Sequence, residues 1–308
     1  MQKSRIAFQG ERGAYSEMAA LQYLPSAEFM PLKSFASVFE AVENGSATFA
    51  IVPVENSIEG SINEVYDLLL QTKELIATGE VYQRVHHCLI ANNGVAFPDI
   101  RIAYSHPQAL AQCRDYLLKK KIEPVAAYDT AGAVKFVKEN HLKDSAAIAS
   151  RKAAELYDMQ ILDEGIEDRK NNFTRFLVMS RADQSSAVSP PGTDAHSDVH
   201  ANDHIDPNST PHGRGPTFKT SLIFSVKHIP GALYGILGEF AVRGINLTKI
   251  ESRPTKETPW EYNFYMDVEG SSADAKVIDA IKSVRDKTMF LKVVGSYRRA
   301  NLDLTKSA

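Results

Sequence analysis

Four short polar clusters carry the side chains of this sequence that are best suited to chemistry. Each cluster accompanies a predicted apolar strand, and the four read PVENSIEGS, SHPQALAQC, YDTAG and NNFTRF. Each offers hydroxyls, amides or a charge next to a helix N-terminus, where free backbone N–H groups attract carboxylates. Because open α/β sheets bind ligands at strand ends, the four together predict an anion pocket with many donors and few bases.

Arg175 is the least expected of these residues, because it lies inside the apolar run NNFTRFLVM. An arginine rarely enters a protein core without an anionic partner. That partner is either a ligand carboxylate, which the guanidinium can bind through two hydrogen bonds, or a structural carboxylate such as Glu55 or Asp129.

The elements that would hold the clusters alternate between short apolar strands and helical patterns, which indicates an α/β layer fold. The predicted strands are RIAFQ, FAIVPVE, HHCLIA, IRIAYS, PVAAY, AAIAS and FTRFLVM. After the segment 183–216 the order becomes strand, helix, strand, strand, helix, strand, which is the ferredoxin-like arrangement. We therefore predict a first domain at 1–182, a linker at 183–216 and a second domain at 217–300.

The predicted linker is rich in proline, aspartate and histidine and has almost no large apolar residues, so we expect it to be disordered. His196, His200 and His204 recur in it at every fourth position. Proline and aspartate oppose the helix that a three-histidine metal site would need, so no metal site is predicted there.

Composition excludes several classes of function. The chain has 308 residues, 44% of them hydrophobic, and a formal net charge of -3, without the basic field that nucleic acids require. No stretch is apolar enough for a signal peptide or a membrane helix, so we expect a cytoplasmic protein without a membrane partner. Cys88 and Cys113 are expected to be buried, and no glycine-rich dinucleotide loop, pyridoxal lysine or metal cluster points to a cofactor.

Taken in order, six motifs resemble the prephenate dehydratases of phenylalanine biosynthesis: GAYSEMAA, PVENSIEGSINEVYDLLL, SHPQALAQC, DTAGAVKFV, AAIASRKAAELY and N-x-T-R-F-L-V. The later segments FKTSLIFSVKHIPGALYGIL, GINLTKIESRP and W-x-Y-x-F resemble the ACT regulatory domain of the same enzymes. The resemblance covers nearly the whole chain except the linker and the last ten or so residues. No chorismate mutase segment precedes Ile6, so the monofunctional form is expected.

The resemblance implies a fold and a reaction. The fold would be a two-lobed, periplasmic-binding-protein-like catalytic domain, with the chain leaving the first lobe near Glu80 and returning near Asn172, plus the ferredoxin-like (βαββαβ) ACT domain. Prephenate, a dianion, would lose carbon dioxide and its ring hydroxyl to give phenylpyruvate. Aromatisation drives this loss, so no cofactor is needed.

The resemblance also implies roles for single residues. Thr174 would donate to the departing hydroxyl, Arg175 would bind a substrate carboxylate, and Asn172 would position Thr174. The other expected pocket residues are Glu55, Asn56, Ser57, Ser105, Gln108, Gln112, Thr130 and Ala131. His86 and His87 lie in an apolar strand and are expected to be structural, and His106 is also left outside the catalytic set.

In the second domain, the resemblance implies a regulatory site for L-phenylalanine, and a site sensitive to tyrosine or tryptophan is equally open. Its expected residues are Gly231, Ala232, Leu233, Glu251, Ser252, Arg253 and Pro254. The sequence departs from the family pattern at Tyr234, where valine is usual. ACT domains pair through their sheets, so a homodimer or homotetramer is expected.

Two other functions are compatible with the motifs. Arogenate dehydratase is the nearer one, and its substrate ammonium would need an additional carboxylate, for which Glu55 and Asp129 are candidates. A non-enzymatic amino-acid sensor is the more distant one, and the intact T-R-F pattern speaks against it.

Overall fold

The computed structural model describes residues 3–184, 217–255 and 260–301, and these fall into two compact units. The described part of the first unit comprises residues 3–73 and 81–181. The described part of the second unit comprises residues 74–80, 182–184, 217–255 and 260–301. The predicted linker lies outside the described residues, except for Asp183 and Gln184 at the end of a 3₁₀ helix (Ala182–Gln184). The predicted domain boundaries remain predictions.

The first unit contains two lobes, each built on its own sheet. The first lobe begins with strands β1 (Arg5–Gln9), β2 (Glu28–Leu32), β3 (Phe49–Asn56) and β4 (Gly60–Ser61) and helices α1 (Tyr15–Tyr23), α2 (Phe35–Glu43) and α3 (Asn63–Gln71). β1 lies between β2 and β3 and is parallel to both. Ile6, Ala7 and Phe8 of β1 are fully buried, as a central parallel strand covered on both faces requires.

Strand β5 (Leu75–Arg84) leads the chain toward the second lobe. That lobe contains β6 (Cys88–Ala91), β7 (Ile102–Ser105), β8 (Glu123–Ala126), β9 (Ser145–Ala149) and β10 (Gln160–Glu164), in the sheet order β10-β6-β9-β7-β8. Its helices are α4 (Pro107–Gln112), α5 (Arg114–Lys120), α6 (Thr130–Glu139) and α7 (Arg151–Leu156). Strand β11 (Phe173–Arg181) then returns to the first lobe and pairs antiparallel with β3.

The two-lobed α/β prediction is confirmed, with local differences. The chain leaves the first lobe after Arg84, a few residues later than predicted, and returns at Asn172 as predicted. Strands β2, β4, β5 and β10 were missed. β4 has only two residues, and β2 and β10 are edge strands whose residues are mostly half-exposed and lack a continuous apolar run. Cys88 and Cys113 are buried free thiols, as predicted.

The second unit has the predicted ferredoxin-like order. Its elements are β12 (Phe218–Ser225), α8 (Ala232–Ala241), β13 (Leu247–Pro254), β14 (Tyr262–Glu269), α9 (Ala275–Arg285) and β15 (Phe290–Arg298), with the antiparallel sheet order β13-β14-β12-β15. Phe224, Ile236 and Phe240 form part of its core between sheet and helices. On the far side of the sheet, the buried Lys219 ammonium lies 3.0 Å from a carboxylate oxygen of Glu80, which belongs to the same unit.

Within the second unit, Gly295 of β15 lies against Ala77 of β5, with which it pairs in parallel. A Cβ added at Gly295 would lie 2.7 Å from the Ala77 nitrogen and closer still to its carbonyl oxygen. Because both neighbours are backbone atoms, the two strands must separate to accept any side chain there.

We therefore expect Gly295→Ala to lower the free energy of unfolding by about 1–3 kcal/mol, the usual cost of an overpacked site. Urea unfolding measures this change. The matched control is Gly235→Ala in α8, where an added Cβ meets nothing within 4 Å and a helical alanine is favoured. Equal midpoints for Gly295→Ala and the wild type would contradict the close approach of β15 and β5.

Candidate functional site

A cavity of about 520 Å³ lies between the two lobes of the first unit. The C-terminal ends of β1, β2 and β3 in the first lobe, and of β7 and β8 in the second, contribute to its wall. This placement follows the rule for ligand sites in open α/β sheets. The predicted site residues that line the cavity are Asn56, Gln108, Gln112, Thr130 and Thr174.

Asn56, at the end of β3, has an amide orientation that the backbone determines. Its Oδ1 accepts hydrogen bonds from the backbone N–H groups of Ile58 and Glu59, both at 3.0 Å. Backbone N–H groups can only donate, so the Nδ2 group of Asn56 must face the other way. There it donates to Asn172 Oδ1 at 2.7 Å and to Thr174 Oγ1 at 3.1 Å.

Thr174, on β11, is placed opposite Asn56 by the register of the β3–β11 pair. Its Oγ1 accepts from Asn56, so its own proton is left for a different acceptor. The side chain lines the cavity and is 9% exposed. This arrangement suits a hydroxyl that donates a hydrogen bond to a ligand oxygen.

Asn172 is fully buried behind the cavity wall rather than in it. Its Oδ1 accepts from Asn56, and its Nδ2 donates to Gln112 Oε1 at 3.0 Å. Gln112 ends helix α4 of the second lobe, so these amides connect residues of both lobes.

Arg175 and Glu55 are paired with each other and are absent from the cavity wall. Arg175 Nη1 lies 3.9 Å from Glu55 Oε2, and the arginine is buried. Thr174 and Phe176 line the cavity on either side of it, as the alternation of side chains along a strand requires. The structure thus contains the structural ion pair with Glu55 that the sequence left open, and a substrate-binding role for Arg175 remains a prediction.

Three other predicted residues do not line the cavity: two serines hydrogen-bond to nearby backbone, and an alanine is buried. Ser57 Oγ accepts from the Phe173 N–H at 3.0 Å and donates to the Asn171 carbonyl at 3.1 Å. Ser105 is fully buried, and its Oγ donates to the Ile148 carbonyl at 2.5 Å. Ala131 is fully buried in the first turn of α6.

Asp129, which the sequence suggested as a partner for Arg175 or for a substrate ammonium, also lines the cavity. Its Oδ1 caps α6 by accepting from the Gly132 N–H at 2.5 Å. Its Oδ2 is buried and has no hydrogen-bond partner among the described residues. Burial raises the pKa of this carboxyl, and the nearby Glu11 carboxylate adds to the effect.

The cavity wall also has charged or titratable residues that the sequence did not assign to it, which are Tyr15, Lys33, Glu64, His87, His106 and Tyr128. Lys33 follows β2, a strand that was itself missed, so no pattern drew attention to it. His106 caps α4 by accepting from the Gln108 N–H at 3.3 Å, and burial lowers the pKa of its imidazole. The sequence did contain a signal for this cap, because proline is common at the first position of a helix and His106 directly precedes Pro107.

In the second unit, the two predicted L-phenylalanine segments lie at the same end of the sheet. Gly231, with φ of +81°, is the N-cap of α8, which follows the C-terminal end of β12. Arg253 of β13 pairs with Asn263 of β14, which pairs with Ser225 at that same end of β12. Tyr234, the departure from the family pattern, is 81% exposed.

Neither unit presents a metal site: within residues 3–184, 217–255 and 260–301, no three histidine, cysteine or acidic side chains are grouped to hold an ion. No helix of this described part has the length and apolar content needed to span a membrane.

Comparison with known proteins identifies the family. The prephenate dehydratase family model matches residues 6–184, and the ACT domain model matches residues 220–286. A chloroplastic arogenate dehydratase/prephenate dehydratase of Arabidopsis thaliana is 42% identical over 302 residues, which cover 95% of this chain and 72% of the relative.

Solved structures agree in fold. A prephenate dehydratase from Arthrobacter aurescens in complex with L-Phe is 29% identical with a TM-score of 0.79, covering 96% of this chain and 90% of that one. A protein described as a novel type of quorum quenching acylase is 34% identical with a TM-score of 0.79, covering 96% and 98%. The chain is therefore an enzyme that belongs to the prephenate dehydratase family, with the periplasmic-binding-protein-like fold of that family and a C-terminal ACT domain.

Proposed function

We propose that the chain catalyses the decarboxylating dehydration of prephenate to phenylpyruvate in phenylalanine biosynthesis. The observation that carries this proposal is the Thr174 hydroxyl, which lines the cavity and accepts from Asn56. Its remaining proton can be donated to the ring hydroxyl of the substrate, where negative charge develops as the C–O bond breaks. A threonine hydroxyl is a weak acid, so its role is to stabilise the leaving oxygen rather than to transfer its proton fully.

The reaction balances without a redox partner. The bond between the ring carbon and its carboxylate breaks, and the electron pair enters the ring as carbon dioxide leaves. The ring expels the hydroxyl as hydroxide, which is stabilised by the Thr174 donor and takes up a proton from solvent. Aromatisation makes the free energy of the overall reaction favourable, so the protein supplies only orientation and hydrogen bonds.

Lys33 and the start of α6 supply positive potential for the two substrate carboxylates. Lys33 lines the cavity in the first lobe, and Thr130 lines it at the first position of the ten-residue α6. Free N–H groups of a helix N-terminus and a lysine ammonium both favour carboxylates. Gln108 and Gln112 add amide donors from α4.

We expect Thr174→Ala to reduce kcat for prephenate about 100- to 1000-fold, the usual cost of losing one donor to a developing oxyanion. Thr174→Ser keeps the hydroxyl and should lose far less. Phenylpyruvate formation measures kcat, and circular dichroism checks that each variant is folded. Normal turnover by a folded Thr174→Ala variant would refute the role of Thr174, and failure of the wild type to convert prephenate or arogenate would refute the function.

Arogenate is a second candidate substrate, and Asp129 is the observation that favours it. Arogenate has an ammonium group where prephenate has a ketone, and Asp129, which lines the cavity, has a buried Oδ2 without a hydrogen-bond partner among the described residues. A carboxylate and an ammonium form a charge-assisted hydrogen bond. Of the two carboxylates that the sequence suggested for this task, Asp129 lines the cavity and Glu55 does not.

Asp129→Asn distinguishes the two substrates. Asparagine caps a helix as well as aspartate does, so we expect the variant to fold. If arogenate is a substrate, its KM should rise about tenfold or more, because a hydrogen bond between charged groups contributes about 1.5 kcal/mol or more. The KM for prephenate should not rise in parallel. An equal change in KM for both substrates would show that Asp129 does not bind the substrate ammonium.

Regulation, assembly and location are further parts of the proposal. L-phenylalanine would bind at the N-terminus of α8, where Gly231 leaves space above the backbone N–H groups, and at Glu251–Pro254 of β13. The solved relative from Arthrobacter aurescens, which is in complex with L-Phe, supports this ligand. We also propose a homodimer or homotetramer in the cytoplasm; β13, at the end of the sheet order in the second unit, leaves an edge suited to pairing.

We expect Gly231→Val to weaken L-phenylalanine binding about tenfold or more, because the new side chain covers N–H groups that would hold the ligand carboxylate. Isothermal titration calorimetry measures the affinity. Gly244→Val is the matched control, since Gly244 also has a positive φ and open space but lies at the opposite end of α8. Equal affinities in the two variants would contradict the proposed location.

A further inference from the structure

The hydrogen-bonded amides behind Thr174 continue to a buried histidine. Gln112 Oε1, which accepts from Asn172 Nδ2, also lies 3.0 Å from His87 Nε2. His87 Nδ1 lies 3.1 Å from the hydroxyl of Tyr15, and this hydroxyl donates to the His86 carbonyl at 2.7 Å. We call the series Thr174, Asn56, Asn172, Gln112 and His87 the amide chain.

The direction of every hydrogen bond in the amide chain follows from the orientation of the Asn56 amide at one end. The backbone N–H groups of Ile58 and Glu59 fix Asn56, so Asn172 must present Oδ1 to Asn56 and Nδ2 to Gln112. Gln112 must then present its oxygen to Asn172 and to His87. His87 Nε2 therefore carries a proton and donates, because two acceptors cannot share a hydrogen bond.

The surroundings of His87 favour this neutral form. The residue is 1% exposed, and burial lowers the pKa of its imidazole. The charged or titratable groups around it are Glu167, whose Oε2 accepts from the His87 backbone N–H at 3.0 Å, and the neighbouring side chains of His86 and Tyr15. A neutral imidazole with Nε2–H has Nδ1 as an acceptor. Nδ1 then receives a hydrogen bond only when the Tyr15 hydroxyl turns its single proton from the His86 carbonyl to the ring.

We propose that His87 is a positioning residue for the dehydration, which donates from Nε2 to Gln112 and so keeps the amide chain in the order that directs the Thr174 proton into the cavity. This inference rests on the proposed function. Gln112 is the member whose side chain depends most on His87, because it is half-exposed at the cavity and its amide can otherwise rotate. A rotated Gln112 would present a donor to the donor of Asn172 and disturb the link to Thr174.

The contacts of the His87 side chain with the amide chain distinguish it from the adjacent His86. His86 is partly exposed, and its Nδ1 lies 3.2 Å from Glu167 Oε1, outside the amide chain. His86→Phe is therefore a matched control for His87→Phe, with the same substitution one position earlier.

We expect His87→Phe to lower kcat about 10- to 100-fold with little change in KM, the size found when a residue that orients a reacting group is removed. His87→Gln, whose amide can place an N–H near the position of Nε2, should recover most of the loss. His86→Phe should stay close to the wild type. A wild-type kcat in folded His87→Phe would overturn the inference while the proposed function stands.

A double-mutant cycle separates positioning from general damage to the fold. If His87 acts through Thr174, then adding His87→Phe to Thr174→Ala should cause almost no further loss of the residual rate. A further loss as large as that in the wild-type background would overturn the inference, because it would show an effect independent of the hydroxyl.

Histidine ¹⁵N NMR of the full chain tests the geometry without any turnover. The expected signature of His87 at pH 7 is the neutral tautomer protonated at Nε2, and a tautomer protonated at Nδ1 or a charged ring would overturn the inference. If the wild type converts neither substrate, the proposed function fails, and His87 loses its role in the reaction even where the tautomer is as expected.

Discussion

The hydrogen bond between the buried amides of Asn56 and Asn172 is the constraint on which the site depends. It joins the end of β3 to the residue just before β11 across 116 positions of sequence. Both side chains are almost completely removed from water, so each polar atom needs a partner within the protein. Because the backbone fixes the Asn56 amide, its Nδ2 group donates both to Thr174 Oγ1 and to Asn172 Oδ1, and the bond to Asn172 determines which way the Asn172 amide points.

The same residues lie where the chain passes between the lobes. The backbone N–H of Val85, on the outward passage, donates to the carbonyl of Asn172 on the return, at 2.8 Å. The two passages are therefore hydrogen-bonded side by side at the wall of the cavity. Thr174 lies on the first lobe and Gln112 on the second, and the buried Asn172 amide is hydrogen-bonded toward each of them, through Asn56 on one side and directly to Gln112 on the other.

The cavity wall has both positive and negative groups, which bear on the two candidate substrates. Lys33 and the N-terminus of α6 favour anions. Asp129 has one oxygen engaged as a helix cap, and its second oxygen is buried without a hydrogen-bond partner among the described residues. In the proposed function, an enzyme for prephenate needs only the groups that favour anions, and an enzyme for arogenate uses the Asp129 carboxylate as well. In the function proposed above, substrate choice would depend on the buried carboxylate of Asp129 beside a shared set of carboxylate-binding donors.

The sequence alone determined the α/β lobes, the ferredoxin-like second unit and the family, because these follow from periodicity and contiguous motifs. It also predicted a shared pocket for Asn56 and Thr174, both of which line the cavity. It missed β2 and Lys33, since a half-exposed edge strand carries no apolar run. Only the tertiary structure decided that Arg175 pairs with Glu55, that Asp129 has a second oxygen to offer, and that His87 continues the amide chain. These facts depend on which face a side chain takes and on contacts between residues distant in sequence, and no local pattern encodes either.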